Sequence, residues 1–217
     1  MNQGHPAHSL RERLIDAGVD LVMTEGSASL GLREIARRAG VSHGAPRRYF
    51  PTHHALLSAI ARRGFTDLAA RFAAAAEDAG TPRDQLRSLA DAFLDYAAEY
   101  GGMFELMFRH DLLDSEAHAS DADVPGPRLR ESTLPLFARL VELVAQDRAH
   151  RTKHGTGPSY DSAPPPALTA AALWTNLHGI AVLRANGSLQ LAFPGAAEGP
   201  DQLVAAALDA HLGRADA

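Results

Sequence analysis

One stretch of 29 residues, SLGLREIARRAGVSHGAPRRYFPTHHALL at positions 29–57, constrains the fold of this chain more than any other. The apolar residues of its first half recur at helical spacing, with arginines on the opposite side. Gly40 then stands where a helix ends in a left-handed residue, a conformation that glycine adopts without strain. Ser42 is suited to cap a second helix that runs to about Phe50. The pattern predicts a helix-turn-helix, which lays its second helix in the major groove of DNA.

The second helix of this motif carries residues that are suited to face DNA. Gly44 and Ala45 are small enough to let the backbone approach the groove. Either Arg47 or Arg48 can hold guanine O6 and N7 bidentately, for roughly 1–3 kcal/mol of base discrimination, and the other is expected to bind a phosphate. The alternative is a solvated basic face. The predicted DNA contacts are Arg33, Ser42, His43, Gly44, Ala45, Arg47, Arg48, Tyr49 and His53.

Together with a helix predicted at residues 10–24, this motif resembles the DNA-binding domain of TetR-family transcriptional repressors. The resemblance covers about residues 10–65 in motif and the whole chain in architecture. It implies an all-α fold, in which an N-terminal three-helix helix-turn-helix domain precedes a helical ligand-binding and dimerisation domain. The residues that carry the resemblance are Gly26, Ile35, Ala36, Ala39, Gly40, Val41, Ser42, Gly44, Phe50, Leu56 and Leu57.

Several positions depart from the pattern of this family. Arg47 stands where the family usually has Tyr, and Tyr49 stands where it usually has His. His53 replaces a usual Lys, and His54 replaces an acidic residue. Because an unperturbed imidazole is mostly neutral at pH 7, a histidine at position 53 would make a phosphate contact depend on pH. Gly31 replaces the usual Ser or Thr cap and remains an acceptable N-cap. These changes affect the expected operator sequence and affinity rather than the fold.

Charge is unevenly distributed along the chain. Residues 1–72 hold ten arginines and six acidic residues, whereas residues 73–217 hold eleven basic and twenty acidic ones. A basic head on an acidic body is expected when a phosphate-binding domain precedes a domain that does not bind nucleic acid. The chain has no cysteine, which excludes disulfides and thiolate metal sites. Because we find no long apolar run and no signal-peptide pattern, we expect a cytoplasmic protein without a membrane partner.

We expect two domains, residues 1–52 for the N-terminal arm and the helix-turn-helix, and residues 53–217 for effector binding and dimerisation. Residues 151–166, rich in Gly, Pro and Ser, are predicted to be a flexible linker. A long helix at about 53–79 would link the two domains mechanically. Pro135 is expected to kink a helix or to mark its start. Further helices are predicted at 82–100, 103–109, 128–150, 167–185 and 200–212, with loops at 111–127 and 188–199.

The second domain offers a set of large or soft apolar residues. Met and aromatic side chains around a cavity with one or two polar groups are typical of a small-molecule site. The run Trp174–Gly179 resembles a Trp–His–Gly signature of one subgroup of TetR-like effector domains. Ordinary core packing is the alternative for these residues. The predicted ligand-binding residues are Phe93, Tyr96, Met103, Phe104, Met107, Phe108, Phe137, Trp174 and His178.

The last two long helices have more apolar surface than a single chain needs to cover. A helix that is apolar on all sides must be buried. In the family that this chain resembles, the matching helices form a four-helix bundle across a two-fold axis, so we expect a homodimer. Such a dimer sets two recognition helices one DNA turn apart, roughly 34–36 Å, which implies a palindromic operator. The predicted dimer residues are Leu173, Leu177, Ile180, Leu203 and Ala207.

The resemblance therefore implies a ligand-responsive repressor that binds double-stranded DNA. A small molecule would shift the helix at 53–79, with Gly101 and Gly102 as a hinge, and would release the operator. The coupling requires that the ligand bind the DNA-incompetent state more tightly. The predicted entry site lies between the helices at 82–109, 128–150 and 167–185.

Two other classes of regulator stay open. One is a ligand-independent DNA-binding protein whose body only dimerises. The other responds to metal or to pH through His53, His54 or His178. Neither a nucleophile–base motif nor a Gly-rich phosphate loop is present in the sequence, so we expect no enzymatic activity and no cofactor.

Overall fold

The computed structural model describes residues 9–77, 79–109, 112, 129–154, 163–192 and 200–214. Every regular element within these residues is helical, so the predicted all-α class is confirmed. A 3₁₀ turn, Ser27–Ser29, follows the first helix. The helices are α1 Leu10–Glu25, α2 Leu32–Arg38, α3 Pro46–Tyr49, α4 His53–Glu77, α5 Pro82–Glu99, α6 Gly101–Met107, α7 Leu129–Lys153, α8 Pro166–Ala185, α9 Ser188–Ala192 and α10 Asp201–Leu212.

Helices α1, α4 and α5 begin where the sequence predicts, because a hydroxyl side chain caps each of them. The amide of Glu12 donates to the Ser9 hydroxyl over 3.2 Å, and Thr52 caps α4 in the same way. At α5 the amide of Asp84 donates to the Thr81 hydroxyl over 3.1 Å, and the Thr81 amide donates back to the Asp84 carboxylate over 3.2 Å. Each cap satisfies an amide that has no partner within its own helix.

The recognition helix α3 is shorter than predicted. It begins at Pro46, so the predicted cap at Ser42 is wrong. Pro46 has no amide hydrogen to donate to the Ser42 carbonyl, and regular i→i−4 bonding therefore cannot start before it. The amide of Ala45 instead donates to the Ser42 carbonyl over 3.0 Å, which makes residues 42–45 a turn.

Other boundaries also differ from the prediction. Helix α7 runs through Pro135 to Lys153, so Pro135 does not mark its start, and residues 151–153 of the predicted linker are helical. Residues 188–192, predicted to be loop, form α9, because the Asn186 side chain accepts from the Ser188 amide over 2.9 Å and caps the new helix. Outside the described residues lie 1–8, 113–127, 155–162 and 193–199, which were predicted to be arm, loop or linker.

The chain divides into two compact units. The first comprises Met1–Thr66 and Tyr100–Thr133, and therefore holds α1 to α3, the beginning of α4 and α6. The second comprises Asp67–Glu99 and Leu134–Ala217. The grouping of α6 with the helix-turn-helix rests on contacts between residues far apart in the chain. The domain boundary that we drew at residue 53 stays a prediction.

Within the first unit, α4 packs against α1 and α6 at two glycines. A β-carbon at Gly18 of α1 would lie 2.2 Å from Cδ1 of Ile60, and one at Gly64 of α4 would lie 2.6 Å from Sδ of Met107. Such distances are well inside van der Waals contact, so both close approaches depend on the absence of a side chain. The three helices can therefore bury Leu56, Leu57, Ile60 and Phe65 between them.

Helix α6 packs on the end of α1 at a third glycine. A β-carbon at Gly102 would lie 2.8 Å from Cα of Gly26 and 2.8 Å from the carbonyl oxygen of Val22. Both are backbone atoms, which cannot rotate aside as a side chain can. The Ser27 hydroxyl also donates to the Glu105 carboxylate over 2.5 Å. Gly102 is therefore a point of close packing, and its role as a hinge stays a prediction.

The second unit is built around α8, which packs along α5, α9 and α10. Two arginines hold the end of α10. Arg83 donates to the Gly213 carbonyl over 2.7 Å and pairs with Asp209, and Arg151 donates to the Leu212 carbonyl. These bonds satisfy carbonyls that have no partner at the end of a helix. The contact of Arg151 also explains why α7 extends into the predicted linker.

A buried carboxylate lies in the same region. Asp147 of α7 is 2% exposed, and its Oδ2 accepts no hydrogen bond from the described residues. Burial raises the pKa of Asp147, against the opposing effect of the positive charges on Arg83, Arg151, His150 and Arg148. The ionised carboxylate therefore opposes folding at neutral pH.

Helix α8 alone among the described helices is long and apolar enough to cross a membrane by length and composition, with a mean hydropathy of 1.2. A membrane-spanning helix is not expected from the sequence, because no apolar run in it approaches about 18 residues. A third of the helix window is buried within the chain. Helix α8 meets this criterion because both of its faces are apolar. One face packs on α5 and α10, and the other is exposed in the single chain.

We expect Gly102→Ala to lower the free energy of unfolding by about 1–3 kcal/mol, because the added methyl group meets backbone atoms. Gly101→Ala is the matched control in the same helical turn, since nothing lies within 4 Å of a β-carbon there. Alanine favours the helix by roughly 0.5–1 kcal/mol over glycine at such a site. Urea unfolding followed by circular dichroism measures both variants, and equal stability of the two would contradict the contact.

We expect Asp147→Asn to raise the free energy of unfolding by about 1 kcal/mol at pH 7, because the amide keeps the shape and removes the buried charge. The folded-state pKa of Asp147 lies above the unfolded value near 3.8, so the gain should disappear as the pH falls below that value. Asp95→Asn, on an exposed position of α5, is the control. A gain of equal size in acid and at neutral pH would contradict this explanation.

Candidate nucleic-acid interface

The turn between α2 and α3 is fixed by a pair of backbone hydrogen bonds. Gly40 has a φ of 67°, the left-handed conformation predicted from the sequence. The Gly40 amide donates to the Arg37 carbonyl over 3.1 Å, and the Val41 amide donates to the Ala36 carbonyl over 3.0 Å. This is the Schellman arrangement, which ends a helix and satisfies its last carbonyls. The chain can therefore turn sharply into α3.

A side chain of α1 fastens this turn to the rest of the first unit. Arg13 donates from Nη2 to the carbonyl of Ala39 over 2.6 Å. The two residues are 26 positions apart in the chain, and no local sequence pattern indicates the contact. Sequence reasoning therefore missed Arg13, although the bond helps to set the position from which α3 begins.

Helix α3 buries one face and exposes the other. Pro46 and Phe50 are buried, and the guanidinium of Arg11 lies 5.2 Å from the centre of the Phe50 ring. The short helix is therefore anchored at both ends. The exposed residues of α3 are Arg47, Arg48 and Tyr49.

The remaining predicted DNA contacts border the same face. Ser42, His43 and Gly44 are exposed in the turn, and Ala45 is half-buried. Nothing lies within 4 Å of a β-carbon at Gly44, so the turn is open to the approach of another backbone. Arg33 is exposed near the start of α2.

The arginines of α2 and α3 differ in how their charge is compensated. The paired ones are Arg37 with Glu34, and Arg38 with Asp20 at 2.8 Å and Glu25 at 2.9 Å. The arginines whose side chains form no ion pair or hydrogen bond within the described part of the chain are Arg33, Arg47 and Arg48. The motif therefore keeps three exposed guanidinium charges that are available to a phosphate or a base edge.

His53 is engaged with the protein itself. It is half-buried, and its Nε2 lies 2.7 Å from the carbonyl oxygen of Leu30. A carbonyl oxygen only accepts, so Nε2 carries the hydrogen in this contact. The bond ties the start of α4 to the segment before α2. A DNA contact through Nε2 would require this bond to break.

The predicted ligand-binding residues fall into both units. Met103, Phe104, Met107 and Phe108 belong to the first unit. There the methionines pack beside Gly64, and the Phe108 ring lies 4.8 Å from that of Phe104 and 5.5 Å from that of Phe65. The members in the second unit are Phe93, Tyr96, Phe137, Trp174 and His178.

Phe93, Trp174 and His178 form an aromatic cluster in the second unit. The Phe93 ring lies 5.0 Å from the Trp174 ring and 6.5 Å from the His178 ring. Burial lowers the pKa of His178, so its imidazole is neutral at physiological pH. The cavity beside Phe93 and Trp174 has a volume of only about 20 Å³. Tyr96 is buried apart from it, under the guanidinium of Arg71.

The predicted dimer residues are mostly covered by the chain itself. Leu173, Leu177 and Ala207 are buried, and Ile180 and Leu203 are half-buried. Periodicity finds an apolar face but cannot say which of two apolar faces the chain covers with its own helices. The large apolar side chains that α8 leaves exposed are Leu168, Val182 and Leu183.

Within the described part of the chain, no three His, Asp or Glu side chains come close enough to hold a metal ion. The rings of His150 and His154 lie 4.5 Å apart near the end of α7, and no carboxylate joins them in such a group. His53 is bonded to Leu30, as described above. The metal-responsive alternative gains no support from these positions.

Comparisons with known families cover both halves of the chain. Residues 14–60 match the family described as bacterial regulatory proteins, tetR family. Residues 86–211 match the family described as Tetracyclin repressor-like, C-terminal domain. The first match includes α2, α3 and the exposed arginines, and the second includes the aromatic cluster.

Individual proteins that resemble this chain have low sequence identity to it. The HTH-type transcriptional regulator BetI of Rhizobium meliloti is 29% identical over 191 residues, which cover 82% of this chain and 91% of BetI. The HTH-type transcriptional activator FasR of Mycolicibacterium smegmatis is 25% identical over 148 residues, which cover 68% of this chain and 66% of FasR, slightly less than two thirds. A solved structure of a protein of unknown function from Rhodococcus sp. RHA1 has a TM-score of 0.69 and 29% identity, over 98% of this chain and 100% of that one.

We expect His53→Ala to lower the free energy of unfolding by about 1 kcal/mol, because the Leu30 carbonyl loses its donor. Amide hydrogen exchange around α2 should speed up at the same time, since this segment is no longer tied to α4. His54→Ala, at the exposed neighbouring position, is the control. Unchanged exchange around α2 in the His53 variant would show that the bond does not position the motif.

Proposed function

The chain belongs to the TetR family of transcriptional regulators, and we propose that it is a repressor that binds a palindromic operator as a homodimer and is released by a small-molecule ligand. The observation that carries DNA binding is a set of three exposed arginines on the helix-turn-helix, Arg33, Arg47 and Arg48, none of which is paired with a carboxylate in the described part of the chain. The neighbouring Arg37 and Arg38 are already paired with carboxylates, so these three are the ones free to meet phosphates and base edges.

The exposed face of α8 supports a two-fold dimer. Leu168, Val182 and Leu183 recur with the period of a helix, so they share one side of α8. Ala172, Thr175 and Gly179 lie between them on the same side, and nothing lies within 4 Å of a β-carbon at Gly179. Small residues in the middle of an apolar face allow a second helix to approach closely. We infer that a second copy covers this face, rather than the buried Leu173 and Leu177.

Dimerisation bears directly on how DNA is read. An isologous contact repeats each recognition helix about a two-fold axis. Two such helices in successive major grooves would be roughly 34–36 Å apart, which requires an operator with two-fold symmetry. A single α3, which contains four residues, offers too few contacts for strong discrimination. The paired arrangement doubles them.

Helix α4 is the element that can transmit a ligand signal. It is continuous from His53 to Glu77, and it contributes its first part to the unit that holds the helix-turn-helix and its last part to the other unit. A ligand that binds the second unit and displaces Phe72 would therefore act on the same continuous helix that contains Leu56 and Leu57 in the first. Release requires a higher ligand affinity in the DNA-incompetent conformation.

A second candidate is a regulator that needs no ligand. The cavity at the aromatic cluster of Phe93 and Trp174 is about 20 Å³, which leaves room for about one water, since a water needs roughly 10–15 Å³ of such space, and is too small for an organic ligand. A body packed this tightly there could serve dimerisation alone. Measuring operator affinity with and without a library of small molecules separates the two candidates, because only the first loses affinity with a cognate compound.

The proposed function is tested by titrating the purified protein against DNA from upstream of its own gene at several salt concentrations. We expect nanomolar binding, a footprint with two-fold symmetry and a steep loss of affinity with salt. Weak binding without a footprint, followed by failure to select any symmetric site from genomic DNA, would contradict it.

We expect Arg47→Ala and Arg48→Ala to differ in the way they weaken operator binding. Replacing the arginine that reads a base should weaken operator binding by roughly 1–3 kcal/mol and relax specificity at one position. Replacing the arginine that binds a phosphate should lower affinity for all DNA sequences. It should also reduce the slope of log affinity against log salt concentration by about one. Arg37→Ala, whose side chain is paired with Glu34, is the control and should change the slope little. His53→Ala should leave the slope unchanged.

A further inference from the structure

A cavity of about 250 Å³ lies in the second unit where α5, α8 and α9 come together. It is more than ten times larger than the cavity beside Phe93 and Trp174. Its wall is mostly apolar, and its polar groups are one guanidinium and one carboxamide. The residues that line it include Leu94, Ala97, Ala98, Ala181, Arg184 and Gln190.

The guanidinium of Arg184 has no partner in this cavity. Its Nη1 is buried and forms no hydrogen bond within the described residues, and no carboxylate there pairs with it. A guanidinium stays charged at any ordinary pH and has five N–H donors. A buried donor without an acceptor disfavours the folded state. Nη1 of Arg184 is therefore a buried hydrogen-bond donor without an acceptor among the described residues, on a side chain that lines the cavity.

A larger cavity in the same unit provides a contrast. It has a volume of about 300 Å³ and is lined by Pro164, Pro165 and the side chain of Arg148. Arg148 is already satisfied, because it donates to the Pro164 carbonyl and to the Thr169 hydroxyl. The size of a cavity therefore does not identify an anion site. The cavity at Arg184 differs from the larger one because its guanidinium has a donor without an acceptor among the described residues.

We propose that the cavity between α5, α8 and α9 binds a small amphipathic carboxylate. The carboxylate would accept two parallel hydrogen bonds from Arg184, which is the geometry that a guanidinium favours. The Gln190 amide can donate a third. The apolar part of the ligand would lie against Leu94, Ala97 and Ala181, all of which are buried.

The composition of the cavity limits the class of ligand. A single cation matches a singly charged acid better than a phosphate ester, which carries up to two charges. Since a cavity of roughly 150 Å³ binds benzene, which has six non-hydrogen atoms, a volume of about 250 Å³ holds about eight to ten such atoms. Hexanoate has that size. It serves as the probe, and hexanamide and hexylamine have nearly the same shape without the negative charge.

The test is an NMR titration of the full-length protein with these three compounds in the absence of DNA. We expect saturable binding of hexanoate, with shifts of the Gln190 side-chain amide and of the Arg184 Nε–H. Hexanamide should bind at least tenfold more weakly, and hexylamine should not bind. Equal affinities for hexanoate and hexanamide, or shifts confined to another part of the chain, would overturn the proposal.

Two variants separate the charge from the cavity. Arg184→Met keeps the length of the side chain and removes the charge, so it should reduce hexanoate affinity at least tenfold and leave hexanamide unaffected. Ala98→Phe fills the cavity from an exposed position and keeps Arg184, so it should abolish binding of both compounds. Ala138→Phe, at an exposed position of α7 away from the cavity, is the control and should bind as the wild type does.

The outcome does not depend on operator binding. Hexanoate that binds the wild type and Ala138→Phe but neither Arg184→Met nor Ala98→Phe supports the site, whether or not DNA is released. Should Arg184→Met fail to fold, Ala98→Phe decides alone, since it leaves the guanidinium in place. Retention of hexanoate by Ala98→Phe would overturn the proposal. A failed operator titration would contradict the repressor function but would not contradict the carboxylate site.

Discussion

The close approach of helices at glycine is the constraint on which the DNA-binding unit depends. Gly18 lets α1 meet Ile60 of α4, and Gly102 lets α6 meet the backbone that follows α1. Side chains at these positions would hold the helices apart, and the buried apolar residues between them would lose contact. Helix α1 in turn holds the turn before α3 through Arg13. The exposed face of α3 is therefore positioned by packing that lies behind it.

Hydrogen bonding and charge pairing divide the arginines of this chain by role. Arg83 and Arg151 donate to carbonyls at the end of α10, and Arg38 pairs with two carboxylates. These arginines hold the protein together. Arg47, on the surface of the helix-turn-helix, and Arg184, beside a cavity, have no such partners among the residues that the structure describes. An exposed guanidinium such as that of Arg47 can exchange its water for a phosphate, whereas a buried donor such as Nη1 of Arg184 favours the binding of an acceptor.

Much of the fold could be predicted from local chemistry. Ser9, Thr81 and Gly40 mark helix ends because capping involves only neighbouring residues, and the structure has these ends where they were expected. Pro46 shows a limit of the same reasoning, since its missing amide delays the start of α3 by one turn. The exposed arginines could be predicted too, because a basic residue on the outer face of a short amphipathic helix has no apolar neighbour to cover it.

The sequence by itself determined the helical class, the helix-turn-helix and its basic face, because periodicity and capping are encoded within a few neighbouring residues. Only the tertiary structure decided that α6 packs with the DNA-binding unit, that His53 bonds to Leu30, and that Leu173 is covered while Leu183 is exposed. Each of these depends on which distant segments meet. An apolar face in a sequence looks the same whether its own chain or a second one covers it.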